Sequence, residues 1–193
     1  MPFDPQILHR RSIRMPAFDY SSSGYYAVVI CTQGKECLFG DVVDWKMQLN
    51  DVGEMVRSWF EKLPSKFPNA GLDEFVLMPN HFHFILGLVG ADPCVCPAPG
   101  CDQTVGDDIQ QGAHSGAPLP EIVQWYKTMT TNDYFHQVKE GIWKPVRDRL
   151  WQRNYYEHVI RDEHDLTVHR DYIVNNPAKW QLDKYNPINW NKP

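Results

Sequence analysis

The sequence predicts an α+β fold, a two-layer sandwich of about four principal strands and two interleaved helices, with a third helix added near the C-terminal end. Three observations predict it. Apolar, β-branched and aromatic runs of strand length recur around residues 25–31, 74–78, 83–86 and 155–160. Between them lie two stretches with apolar residues at helical spacing, one from about residue 51 and one from residue 119. A third helical pattern runs from about Glu163 to Asn176 and is stopped by Pro177.

Tyr25-Tyr26-Ala27-Val28-Val29-Ile30-Cys31 is bounded by Ser and Gly before it and by Gln33-Gly34 after it, as a buried strand would be. Short extended pieces follow around Cys37–Phe39 and Val42–Val43. Asn50 or Asp51 then caps a helix whose Val52, Met55, Val56, Trp59, Phe60 and Leu63 share a face, and Pro64 is expected to end it. Glu74–Met78 and His83–Leu86 read as two strands joined at Pro79-Asn80. Residues 89–118 are rich in Gly, Pro, Asp and Gln without periodicity, which marks a surface insertion. Leu119-Pro120 opens the second helix, with Ile122, Val123, Tyr126, Met129 and Thr130 on its inner side. Residues 143–150 lead into the strand at 155–160, and the tail from Trp180 is expected to pack on the surface.

The chain of 193 residues suits one domain, 1–193, interrupted by that insertion. No apolar run approaches the roughly 20 residues that cross a bilayer, and Met1-Pro2-Phe3-Asp4 has no signal-peptide layout, so a cytoplasmic protein is expected. Five cysteines, three of them crowded at 94, 96 and 101, point to reduced thiols. The net charge of −5 argues against a strong nonspecific phosphate binder. Its distribution is uneven: Asp92, Asp102, Asp107 and Asp108 sit in the insertion without a compensating Lys or Arg. Lys144, Arg147, Arg149, Arg153 and Arg161 outnumber Asp148 and Glu157, and Arg10, Arg11 and Arg14 form a second basic cluster. A site gripping a few phosphates locally fits this pattern.

His81-Phe82-His83 is the sharpest chemical feature. On a strand both imidazoles share one face while Phe82 points to the other, so the pair is ready to ligate a metal. The spacing alone equally describes two half-exposed histidines. Helical spacing also places Asp165, His169, Tyr172 and Asn176 along one polar stripe, with Leu166 and Ile173 on another side. A phenol with a reference pKa of roughly 10 needs a cation, base or polarised electrophile nearby to act as a nucleophile. The plain alternative makes Tyr172 an amphipathic helix residue and Asn176 a helix cap.

Taken together, Arg10-Arg11-Ser12-Ile13-Arg14 with Phe18-Asp19-Tyr20, then Val76 through His83, Leu150 through Arg161, and Asp171-Tyr172-Ile173-Val174-Asn175-Asn176-Pro177 resemble the REP-associated tyrosine transposases of the single-tyrosine HUH superfamily. The resemblance spans roughly residues 8–182 apart from the insertion. It implies a ferredoxin-like (RRM-like) HUH fold with an added nucleophile helix. It further implies Mg²⁺ or Mn²⁺ on His81, His83 and Asn176, with Tyr172 as nucleophile. Tyr172 would attack a phosphate of single-stranded DNA beside a palindromic hairpin, leaving a 5′-phosphotyrosine and a free 3′-OH, in a monomer or homodimer.

Arg10, Arg11, Arg14, Arg153, Trp151 and Tyr155 are the candidate DNA contacts, through phosphates and base stacking. An even alternative makes Trp151 and one tyrosine core, with the arginines solvating the edge. Cys94, Cys96, Cys101 and His114 lack the spacing of a zinc knot and read as part of a loop. His158 and His169 are expected to make local hydrogen bonds, and His169 lies close enough along its helix to assist Tyr172. Trp59, Phe60 and Trp125 read as core. Two competing functions stay open: a non-cleaving DNA- or RNA-binding module with a relic site, and a hydrolase whose histidines activate water through a metal.

Overall fold

The structure, a computed structural model, describes residues 19–20, 22–89 and 116–190. Arg10, Arg11, Arg14, the cysteine cluster and His114 lie outside the described residues, as does most of the expected insertion. Strands β1 (Gly24–Cys31), β4 (Ala70–Met78), β5 (His81–Leu88) and β6 (Tyr156–Ile160) form one sheet in the order β4-β5-β1-β6, every neighbouring pair antiparallel. A separate hairpin, β2 (Gly40–Val43) and β3 (Lys46–Leu49), leads into α1 (Asp51–Glu61) and the short α2 (Leu63–Lys66). Helix α3 (Leu119–Lys139) bridges β5 to β6, and α4 (Glu163–Val174) follows β6. The expected α+β sandwich is therefore present.

Alternation along the strands sends the two faces of the sheet to different partners. Tyr26, Val28 and Ile30 of β1, with Phe82, Phe84 and Leu86 of β5, join α1 and α3 in the main core. Phe60 lies at its centre, its ring centroid within about 5 Å of those of Phe75, Phe82 and Phe84. Ala27, Ile85 and Ile160 face the other way and bury Leu166 and Ile173 of α4, with Val76 packed against them. The third helix thus closes the sheet on its second face, making three layers rather than two with an appendage. His81 and His83 share the parity of Ile85, so they stand on the α4 face.

Local differences from expectation have simple causes. Pro64 does not end a helix; it occupies the first turn of α2, where the missing N–H costs nothing. Asn50 is the cap of α1, accepting from Gly53 N at 3.0 Å, and α1 stops at Glu61. Residues 37–39 are not a strand. Leu38 N and Phe39 N donate instead to Pro79 O. The extended piece expected at Val42–Val43 lies in β2, but its pairing with β3 escaped the sequence because the turn carries Asp44 and Trp45 at φ 48 and 63, where Asn-Gly would be the familiar signal. Gly40 (φ 128) lies so close to the Gln48 backbone that any Cβ would collide with it. No helix among the described residues is long and apolar enough to cross a membrane.

Candidate metal and nucleophile site

The turn between β4 and β5 is clamped from both sides. Pro79 O accepts from Leu38 N at 2.8 Å, and Asn80 O accepts from Thr32 N at 2.9 Å. The Asn80 side chain, fully buried, then orients the first histidine. Its Nδ2 donates to Lys35 O (2.9 Å) and Tyr185 O (2.7 Å), two groups that can only accept. Its Oδ1 must therefore accept the 2.9 Å bond from His81 Nδ1. With the proton held on Nδ1, His81 Nε2 is left as a lone-pair donor.

His81 and His83 are 0% and 6% exposed, and their rings meet edge to face with centroids 4.7 Å apart. Burial, followed by the charges of His83, Lys184 and Lys35, drives the His81 pKa well below its ordinary value. Burial and then Lys184 lower that of His83 to about 4. Both imidazoles are neutral at physiological pH, the form a cation requires. Their Nε2 atoms and Asn176 Oδ1 are buried without a hydrogen-bond partner. Each such atom costs about 1–3 kcal/mol when left unsatisfied, so three of them call for an explanation, which a bound ligand would supply. Two imidazole nitrogens and an amide oxygen fit a divalent ion.

Helix α4 brings Tyr172 to this place. Asp162 caps it by accepting from Asp165 N at 2.8 Å. Buried Leu166 and Ile173 fix its rotation on the sheet, and a bidentate pair from Arg170 to Asp73 (2.8 and 2.6 Å) ties its solvent side to β4. The Tyr172 ring consequently meets His83 edge to face at 5.3 Å between centroids, within one chain. Tyr172 is 44% exposed; desolvation raises its pKa, a hydrogen bond from Asn176 lowers it, and Asp183 raises it. The helix ends at Val174 rather than Asn176, with Asn175 as its cap residue; Asn176 precedes the next 3₁₀ turn without a side-chain capping bond and is 2% exposed.

Sequence reasoning missed what the tail covers. Residues 177–182 and 187–189 form 3₁₀ turns with no buried residue, so the tail packs on the surface as expected; what went unread is that Trp180 and Tyr185 cover His81. The rings of Tyr185 and Trp180 approach His81 at 4.8 and 6.1 Å. Asp183 Oδ2 lies 3.8 Å from His81 Nε2, and burial raises the Asp183 pKa. Only composition, an acidic and a basic residue among aromatics, hinted at this. A cavity of about 370 Å³ opens beside the pair, bounded by His83, Tyr172, His169, Tyr156, Lys184 and Tyr185 among others.

Of the candidate DNA contacts, Arg153 is exposed and shares a groove with Lys127, Arg149 and Gln152. Lys127 Nζ is engaged with Gln152 O (2.6 Å) and Arg153 O (3.1 Å). Trp151 is a correction: it is 3% exposed, packs on Phe39 and donates Nε1 to Thr130 Oγ1 at 2.8 Å, so its ring has no open face for a base. Tyr155 is half-buried against the same core. The core alternative describes these two.

A second cluster lies along the helix. His158 of β6 and Asp165 and His169 of α4 bring one donor atom each within 4.8 Å of one another, a potential His/Asp/His metal-coordinating set. The local hydrogen bonds expected of both histidines are made to Asp165: His158 Nε2 meets its carboxylate at 2.8 Å, and His169 Nδ1 meets its backbone O at 2.9 Å with a carboxylate oxygen at 3.2 Å.

Comparisons with known proteins extend this picture. No family model matches the chain. Over 90% of its length it superposes on 76% of a solved chain described as a REP-associated tyrosine transposase bound to a REP hairpin, with a TM-score of 0.53 and 19% identity. A segment of 30 residues, 16% of this chain and 17% of the other, is 57% identical to a Haemophilus influenzae protein named "Putative REP-associated tyrosine transposase". The chain thus shares its fold with that transposase structure and a short stretch of sequence with the Haemophilus influenzae protein. An uncharacterized protein of Haemophilus influenzae is 36% identical over 187 residues, covering 94% of this chain and 96% of the other, and this chain belongs to that protein's family.

Proposed function

We propose that the protein cuts and rejoins single-stranded DNA next to a palindromic hairpin, with Tyr172 as nucleophile and a ferredoxin-like HUH domain as its frame. One observation carries the reading. The side-chain atoms that would hold a divalent ion, His81 Nε2, His83 Nε2 and Asn176 Oδ1, are buried and unpartnered beside the Tyr172 ring. Mg²⁺ or Mn²⁺ bound there supplies Lewis-acid polarisation of a phosphate oxygen. The oxygen of Asn176, together with phosphate oxygens, suits these ions.

The chain's own groups do the rest. Asn80 keeps His81 in the tautomer that presents Nε2. Asn176 hydrogen-bonds the Tyr172 oxygen and favours its deprotonated form, against desolvation. In the transfer, the tyrosine O–P bond forms as the P–O3′ bond breaks. The phenol gives up one proton and the departing 3′-oxygen gains one. The bond made matches the bond lost, so rejoining needs no outside energy source. Lys184, on the cavity wall, supplies a positive charge for the phosphate group. Arg153 and the arginines at 10, 11 and 14 complete the DNA contacts in this reading, with the enzyme acting as a monomer or homodimer.

The test is a 3′-labelled single-stranded hairpin incubated with Mn²⁺ and resolved on a denaturing gel. The unaltered protein should give a protein-linked labelled species. Tyr172→Phe should retain hairpin binding and lose that species; an adduct surviving in this variant would refute the assignment. Binding without any cleavage in either protein would favour the non-cleaving module instead.

A further inference from the structure

We infer that His158, Asp165 and His169 form a second metal site, distinct from the His81–His83 pair, which takes a zinc-type divalent ion and ties the edge strand β6 to α4. The two imidazole rings stack nearly parallel, 4.6 Å between centroids and 18° apart, and each turns a nitrogen toward the one carboxylate between them. His158 Nε2, an Asp165 oxygen and His169 Nδ1 fall within 4.8 Å of one another. Without an ion, His158 Nε2 donates its proton to the carboxylate (2.8 Å), while His169 Nδ1 donates to the Asp165 backbone O (2.9 Å) and keeps the carboxylate 3.2 Å away. A single divalent cation replaces both protons and takes the carboxylate as its third ligand.

Two imidazole nitrogens with one carboxylate oxygen are borderline donors, which favour Zn²⁺, Co²⁺ or Ni²⁺ over Mg²⁺. Three protein ligands leave a tetrahedral ion one open position for water. The site is reachable: the three side chains are 34%, 23% and 27% exposed in chain order. It is also braced, because Asp165 accepts from Arg161 N at 3.2 Å while its own N–H is capped by Asp162. His158 comes from the sheet and the other two from the first turns of α4, so an ion here cross-links the helix that carries Tyr172. His169 also lines the cavity shared by Tyr172 and His83, which places the ion close to the reaction site without making it part of it. Nothing in this inference depends on whether Tyr172 cleaves DNA.

Untagged protein, stripped with a chelator, is loaded with Zn²⁺, dialysed and assayed for bound metal, with Co²⁺ absorption reporting the ligand field. His81→Ala/His83→Ala should keep one zinc per chain. Adding His158→Gln or His169→Gln should remove it, with affinity falling at least tenfold, and the zinc-induced rise in Tm should vanish with it. If the double alanine variant does not fold, the same reading is taken in the otherwise unaltered chain, where His158→Gln should lower the zinc content by one. Zinc content unchanged by both glutamine substitutions, or no stoichiometric zinc at all, would overturn the second site whatever the outcome of the cleavage assay.

Discussion

Asn80 concentrates more of the site than its bland side chain suggests. It uses both amide hydrogens and its oxygen at once, joining the 33–35 turn, the C-terminal tail and His81. Replacing it with Ala strands two part-buried carbonyls and the buried His81 Nδ1 proton. Asn80→Ala is therefore expected to cost about 2–4 kcal/mol in urea denaturation, from groups worth about 1–3 kcal/mol each when unsatisfied. It should also weaken Mn²⁺ binding about 10–100-fold, as loss of a supporting hydrogen bond to a ligating histidine generally does. Calorimetric titration that finds unaltered Mn²⁺ affinity in a folded Asn80→Ala protein would disprove the orienting role. The histidine pair itself was legible from its strand spacing, but Asn80 was not, since a turn Asn has an adequate local explanation in sequence.

At the scale of elements, α4 is held by two different kinds of contact, and each can be removed alone. Leu166 and Ile173 are each 3% exposed, and Ile173→Ala is expected to cost about 2–4 kcal/mol and to loosen the helix near Tyr172. Hydrogen exchange should report faster opening of α4 than of β5. The Arg170–Asp73 fork is partly exposed and contributes less, about 0.5–1 kcal/mol. The Arg170 hydrogen bond, opposed by desolvation, lowers the Asp73 pKa. A depressed folded-state pKa means the stabilisation is present above the unfolded value near about 3.9 and is lost as pH falls through the folded one. Asp73→Asn should thus destabilise at pH 7 and flatten the acid limb of the stability curve, while an unchanged acid limb would rule the pair out as a contributor. Helices α1, α3 and α4 were readable because each presents an apolar face to the sheet. The β2–β3 pairing and the tail's contacts with His81 were not, because a left-handed Asp-Trp turn and an aperiodic segment carry no pattern to read.

For the molecule as a whole, the sheet divides its labour by face. One face is filled with aromatic rings and provides stability; the other carries the histidines under α4. Phe60→Ala, at the centre of the ring cluster, is expected to cost about 3–5 kcal/mol in equilibrium unfolding. Mn²⁺ affinity per folded molecule should change far less, and a parallel loss of both would show that the faces are not separable. The sandwich was legible because alternation and helical periodicity are both properties of short windows. The assembled site was not fully legible, because Asp183, Lys184 and Tyr185 reach it through the path of the chain, which no window records. Trp151 shows the reverse error: an aromatic beside arginines looks like a base platform until its hydrogen bond to Thr130 puts it in the core.

The distance along the chain between His83 and Tyr172 also has a consequence for synthesis. A ribosome adding about 5–20 residues per second completes the histidine hairpin several seconds before the tyrosine exists. In the proposed reaction, a nascent chain would therefore carry its histidine pair while still lacking the hydroxyl that attacks DNA. Under the proposed function, translation stopped early, or proteolysis that removes α4, would leave a fragment that cannot cut DNA.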